Sequence, residues 1–194
     1  NEQQQQHLDR IKKSQEHLLG IINDILNFSR IEAGQLTLDF EIVSVNDAVA
    51  TVLQVLMQQA QSKGVALETG HCPRGVVAWG DGAKIDQILL NLVTDAIKFT
   101  PTNGAVEVSC DAKELHRTYI MVEDTGIGIP HAQLDAIFEP FVQVGRTLTS
   151  KREGAGLGLA ISRGLARAMN GDITVQSTIG KGSEFCLVLP RTGT

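Results

Sequence analysis

Aromatic side chains are scarce in this chain: one tryptophan, one tyrosine and six phenylalanines among 194 residues. Hydrophobic residues still make up 42 %, enough for a sizeable core, which is therefore expected to be aliphatic. Basic residues are outnumbered, 17 Lys and Arg against 22 Asp and Glu, for a net charge of −5. No long basic run occurs, which argues against nucleic acid and against an anionic membrane surface as partners. There is no stretch of 18 apolar residues and no signal-peptide pattern. The three cysteines, Cys72, Cys110 and Cys186, are far apart and form no CxxC pair. They are expected to be buried free thiols of a protein in a reducing compartment. The first residue is Asn1 and lies in a helical pattern, so a piece of a longer protein is expected. Two nucleotide signatures are missing as well: neither GxxxxGK[ST] nor the dinucleotide GxGxxG is met.

What the chain does have is an ordered set of helices and glycine clusters. Lys84 to Phe99 places Ile85, Ile88, Leu89, Leu92, Val93 and Ala96 at the spacing of a helix packed on a core. Beside them runs a polar stripe, Lys84, Gln87, Asn91, Asp95 and Lys98, at steps of three and four. It offers an amide oxygen, a carboxylate and ammonium groups, donors that suit Mg²⁺ and phosphates. Taken alone, a solvated helix face explains this stripe better.

Residues 7 to 33 read as one long helix whose apolar stripe, including Leu8, Ile11, Leu18, Ile22 and Ile25, needs a partner. Gly34 ends it. A strand from Gln35 to Val43 follows, then a helix capped by Ser44 or Asn46 and closed near Lys63-Gly64. Strands at Val65–Thr69 and Val76–Trp79 are joined by a turn at Cys72–Gly75. Ala105–Leu115 and Thr118–Glu123 form a hairpin. A short helix spans His131–Phe138, an irregular stretch runs to Gly156, and a further helix runs from Leu157 to about Met169. Strands Ile173–Ser177 and Glu184–Leu189 close the chain. This order predicts an α+β fold, a two-layer sandwich with a mixed sheet and helices on one face, preceded by one long helix.

Three glycine clusters carry the chemistry. Asp124-Thr-Gly126-Ile-Gly128-Ile-Pro130 follows an apolar strand; glycine lets backbone approach a flat ligand, and an Asp there can accept from an exocyclic amine. Gly154-Ala-Gly156-Leu-Gly158 opens a helix, where free N–H groups favour an anion. Gly180-Lys-Gly182 lies between two strands. Each cluster alone is explained equally well by a turn or a helix entry.

In order, NLVTDAIKFT, DTGIGIP, FEPF, GAGLGLAIS and GKGSEF resemble the N box, first glycine box, F box, second glycine box and final glycine turn of the catalytic ATP-binding domain of sensor histidine kinases. The helix ending SRIEAG resembles the second helix of that family's dimerisation and phosphotransfer domain. FEPFVQV and LARAMNGDITVQSTIGKGSEF look most like the hybrid members, which pass phosphate to a receiver domain. The resemblance covers nearly the whole chain. It implies a GHKL, or Bergerat-type, ATP-binding fold over residues 35–194, after a partial phosphotransfer helix over residues 1–34. It implies ATP and Mg²⁺ as cofactors. Asn91 and Asp95 match the metal-ligating positions and Lys98 the phosphate-binding lysine. Asp124 matches the aspartate that reads the adenine amino group, and Gly126 and Gly128 the glycines on which adenine lies. Phe138 and Phe141 match the base of an ATP lid holding Arg146, Lys151 and Arg152. Gly154, Gly156, Leu157 and Gly158 match the segment whose amides face the phosphates. Implied partners are ATP or ADP, the upstream phosphotransfer helix, a response-regulator receiver domain and a second copy of the chain through the N-terminal helix. The implied location is the cytoplasm, in a parent that can be membrane-anchored.

Two departures stand out. The family's second N-box asparagine is Asp95 here, which adds negative charge beside the phosphates. A pseudokinase or interaction module with impaired turnover is the alternative this raises. A gyrase-like or mismatch-repair-like ATPase would place a glutamate base where Asn91 stands. The family's phosphoacceptor histidine sits in H-E-x-x-T-P; neither His7 nor His17 has those neighbours, so the acceptor is expected outside this sequence.

Overall fold

Helix α1 spans Glu2–Glu32, longer at its start than the apolar stripe predicts. Near its end Phe28 and Ile31 pack on the main core, whereas Leu18, Leu19, Ile22, Ile25 and Leu26 remain exposed. Gly34, at φ +64°, ends it, with Gln35 N–H donating to the Arg30 carbonyl. The structure, a computed structural model, describes residues 2–112, 114, 116–142 and 156–192.

The strand expected from Gln35 is only four residues long, β1 at Glu41–Ser44. Its partner β3, Val77–Gly80, is equally short. Upstream, Leu36 and Leu38 lean on the core, and Asp39 N–H donates to the Asp81 carboxylate instead of to a strand. Helix α2, Val45–Lys63, is capped by the Ser44 hydroxyl and ends at the left-handed Gly64. Strand β2, Ala66–Thr69, does not neighbour β3 as a turn at 72–75 implies. It runs parallel to β4, Ala105–Asp111, while β3 belongs to the small separate sheet.

That parallel pairing corrects the reading of the cysteines. Beyond β2 the chain still tracks β4, with Gly70 N–H on the Val108 carbonyl and Cys110 N–H on the His71 carbonyl. Cys72 and Cys110 thereby come to 4.5 Å between Cα atoms and form a disulfide; only Cys186 is a free thiol. The expectation of a reducing compartment, which rested on three free thiols, loses its ground.

Helix α3, Gly82–Phe99, starts at an Asp81 cap and carries the expected apolar stripe, with Ile85, Ile88, Leu89, Leu92 and Val93 buried. The Lys63 ammonium of α2 closes its other end on the carbonyls of Ile97 and Lys98. Strand β5, Arg117–Asp124, pairs with β4 and with β7, Gly182–Pro190; β6, Asp172–Thr178, flanks β7. The main sheet is thus mixed, in the order β2-β4-β5-β7-β6. Where an α-helix is predicted at His131–Phe138 there are two 3₁₀ turns, His131–Gln133 and Ala136–Phe138. Eight residues burying only Ile137 provide little to nucleate an α-helix. Helix α4 covers Gly158–Ala168. The largest fully buried side chains are Ile and Leu with one Met, an aliphatic core as composition predicts.

The two faces of the sheet differ sharply. One buries Val108, Val122 and Phe185 in register, then Cys110, Ile120 and Leu187, against the core. The other carries Glu68, Glu107, Glu123 and Glu184 side by side on four neighbouring strands. Like charges directly opposite one another destabilise a sheet. Glu107 and Glu123 each stand between two glutamates, and Glu123 lies on the central strand β5. Replacing it with lysine, Glu123→Lys, creates two opposite-charge pairs and is expected to raise stability by about 0.5–1 kcal/mol. A thermal melt should shift upward by roughly 1–4 °C for a chain of this size. An unchanged or lower midpoint would mean that the row does not repel.

Candidate functional site

Helix α3 supplies the axis of the site. Its start is fixed by Asp81, whose two carboxylate oxygens accept from Lys84 N–H and Asp39 N–H, each at 3.1 Å. Its polar stripe is half-buried at Asn91, Asp95 and Lys98. Asn91 meets the second glycine cluster: a Cβ on Gly158 would lie 2.4 Å from the Asn91 Oδ1. The other end of that amide donates from Nδ2 to the buried Ser162 hydroxyl, 3.1 Å away, one turn further along α4. One helix turn beyond Asn91, burial pushes the Asp95 carboxyl up to about 6, partly offset by the Lys98 ammonium. Lys98 Nζ lies 5.3 Å from the centre of the Phe99 ring.

The far end of α3 meets the first glycine cluster. Ile127 N–H donates to the Phe99 carbonyl, and a Cβ on Gly126 would lie 2.7 Å from that oxygen. Asp124, at the end of β5, is buried; its Oδ1 accepts from Gly126 N–H at 2.7 Å. Burial pushes its carboxyl up, opposed by hydrogen bonds from Gly126 N–H and from the backbone and hydroxyl of Ser183. Gly128, at φ +69°, lies under the β6–β7 turn: a Cβ there would be 2.1 Å from the Thr178 carbonyl. The Ser177 hydroxyl ties the two together, accepting from Ile129 N–H and donating to the Gly182 carbonyl, both at 2.8 Å.

Phe138 and Phe141 stand differently. The Arg163 guanidinium covers the Phe138 ring at 4.5 Å and is ion-paired to Asp172 at 2.8 Å. Although burial pushes the Asp172 carboxyl up, hydrogen bonds from Arg163, Ile173 N–H and Arg167 hold it down at about 2. Phe141 is exposed, at φ +65°, and its N–H donates to the Gly156 carbonyl at 2.9 Å. The two ends of the expected lid, Phe141 and Gly156, are therefore held together. Arg146, Lys151, Arg152 and Gly154 lie outside the described residues. The Leu157 side chain is in the core, so only its backbone can face a ligand. On α4, Ser162 touches Asn91, Arg163 touches Phe138, and Gly164 approaches α1 so closely that a Cβ would lie 2.8 Å from the Ile31 Cγ2.

Ser162, Ser177 and Ser183 are the site residues that sequence patterning misses. Ser183 stands opposite Asp124 only through the β5–β7 register. Ser162 had one signal, its place four residues after Gly158 on the same helix face.

Among the described residues no group of three or more His, Cys, Asp or Glu could hold a metal. Mg²⁺ does not require one: it takes one or two protein oxygens and completes its shell with phosphates and water. The Asn91 amide oxygen and the half-buried Asp95 carboxylate, which burial leaves in want of positive charge, fit that ion by their donor chemistry.

Residues 80–193 match the family described as Histidine kinase-, DNA gyrase B-, and HSP90-like ATPase. Residues 1–34 match the His Kinase A (phospho-acceptor) domain. The chain is 38 % identical over 195 residues to the autoinducer 2 sensor kinase/phosphatase LuxQ of Vibrio parahaemolyticus, covering 97 % of this chain and 23 % of that protein. It is 41 % identical over 195 residues to the sensor histidine kinase GacS of Pseudomonas protegens, covering 96 % of this chain and 21 % of that protein. Thus the chain spans under a quarter of the length of these relatives. The crystal structure of full-length ShkA in complex with AMPPNP superposes with a TM-score of 0.85 at 31 % identity, covering 99 % of this chain and 40 % of that one. The chain belongs to the histidine kinase-, gyrase B- and HSP90-like ATPases. Within them it is the ATP-binding catalytic domain of a sensor histidine kinase. Nothing in these matches favours the pseudokinase alternative. Among the described residues no helix is long and apolar enough to cross a membrane.

Proposed function

We propose that residues 35–194 bind Mg²⁺-ATP between α3, the Asp124–Gly128 loop and the start of α4, and that residues 1–34 belong to a dimerisation and phosphotransfer helix. The observation that carries this is the meeting of Asn91 with Gly158, which brings the polar stripe of α3 to the glycine-rich helix entry. Asp124 accepts from the adenine amino group, held for that purpose by Gly126 and Ser183. Gly126 and Gly128 keep side chains off the base. Asn91 and Asp95 hold the metal, and Lys98 faces the phosphates. The Gly156 and Gly158 amides at the α4 entry bind phosphate oxygens, as helix N-termini favour anions. Mg²⁺, when bound, neutralises charge on the β- and γ-phosphates. The chain's part in transfer is positioning and electrostatics. The γ-phosphoryl goes to a histidine in the parent protein's phosphotransfer helix; the flanks of His7 and His17 support an acceptor elsewhere. The exposed apolar residues of α1 support a second copy of the chain as partner. The hybrid-like motifs support a receiver domain downstream in the relay, and the use of ATP supports a cytoplasmic location.

Asp95 provides the test. Its carboxylate draws Mg²⁺ but repels phosphates that lack it. Asp95→Asn is therefore expected to bind ATP more tightly than the parent in chelator, on the order of tenfold from charges several ångströms apart near a surface. With excess Mg²⁺ the gap should close. Calorimetric titrations at stepped Mg²⁺ concentrations read both values. Parallel curves for the two proteins would place Asp95 away from the metal.

A further inference from the structure

We infer that Ser162 is a positioning residue, which turns the Asn91 amide so that its oxygen, and not its nitrogen, faces the ligand; this rests on the metal role proposed for Asn91. An asparagine amide has two ends of nearly equal size and opposite chemistry, and only the oxygen can ligate a cation. The partner that Asn91 Nδ2 meets lies on another helix, α4. In the structure Nδ2 donates to the Ser162 hydroxyl at 3.1 Å, and Oδ1 is the amide atom nearest the Gly158 position. Ser162 is buried, 2 % exposed, so water does not compete for this bond. As the acceptor of this bond, the Ser162 hydroxyl takes the NH₂ end of the amide. Gly158 completes the device, because a side chain there would occupy the space that Oδ1 uses. Ser162 and Gly158 lie one turn apart on α4, the first bonded to the Nδ2 end of the amide and the second leaving room for its Oδ1 end.

The test is a double-mutant cycle read as nucleotide affinity at excess Mg²⁺ and in chelator. Ser162→Ala is expected to weaken ATP binding about three- to tenfold with Mg²⁺, the worth of one intramolecular hydrogen bond, and to leave it unchanged in chelator. Ser162→Thr, which keeps the hydroxyl, should restore the parent affinity. In an Asn91→Ala background, Ser162→Ala should add less than about twofold, because the group it orients is gone. Equal losses with and without Mg²⁺, or fully additive effects in the cycle, would assign Ser162 a packing role and overturn the inference. If Asn91→Ala removes the Mg²⁺ dependence and Ser162→Ala does nothing, the positioning role alone falls. If Asn91→Ala itself leaves the Mg²⁺ dependence intact, the metal assignment falls and this inference with it.

Discussion

Asp124→Ala is expected to weaken ATP and ADP binding by the same factor, tenfold or more. The carboxylate sits buried at the end of β5 with three protein donors already fixed on it, from Gly126 N–H and from the backbone and hydroxyl of Ser183. Its orientation is settled before a ligand arrives, so under the proposed role a base amine would meet a preformed acceptor. A hydrogen bond to a charged group contributes roughly 1.5–3 kcal/mol, and leaving Gly126 and Ser183 without their acceptor adds to the loss. Because adenine is common to both nucleotides, the γ-phosphate should not alter the ratio. Isothermal titration with ATP and ADP measures both constants. A loss confined to ATP would move Asp124 from the base to the phosphates.

Gly182→Ala is expected to be the most destabilising single-methyl change in the site. At φ +110° the residue is strained for any side chain, and an added Cβ would lie 1.8 Å from the Asp124 carbonyl oxygen and 2.8 Å from its carbon. Both are backbone atoms that no rotamer change can move. Strain of this kind costs about 1–3 kcal/mol, and the collision must also push β7 off β5 where the two begin to pair. A loss of about 3 kcal/mol lowers the melting midpoint by roughly 6–12 °C in a chain of this size. Gly180 provides the control within the same turn. It too has positive φ, +74°, but nothing lies within 4 Å of its Cβ position, so Gly180→Ala should lower the midpoint by far less. Similar drops for the two variants would show that the backbone absorbs the contact at Gly182.

Helix α3 is legible in the sequence because everything that defines it is local: the apolar stripe at helical spacing and the parallel row of Asn91, Asp95 and Lys98. The caps of α2 at Ser44 and Gly64 are legible for the same reason. What lies beyond reach depends on residues far apart in sequence meeting across the sheet. The parallel pairing of β2 with β4 is one case, and it alone makes Cys72 and Cys110 partners. The register that sets Ser183 against Asp124 is another. The extended reading of residues 35–40 fails because alternation shows only that a segment can be a strand, whereas β3 is too short to pair with it. His131–Phe138 misleads in the opposite direction, since helix-compatible residues lack the length and apolar face that make an α-helix cooperative. The Asn91 stripe gains meaning only once Gly158 is seen beside it, and Ser162 is marked only by its place four residues after Gly158.

Residues 162, 163 and 164 of α4 touch Asn91, Phe138 and Ile31 in turn. Consecutive residues of an α-helix point about 100° apart, so the three contacts leave α4 on three different sides. A helix of eleven residues moves as a rigid rod. The Asn91 amide, the Phe138 ring and the end of the long helix thus share one set of coordinates, the position and roll of α4. A shift of that rod changes its contacts with Asn91, Phe138 and Ile31 together.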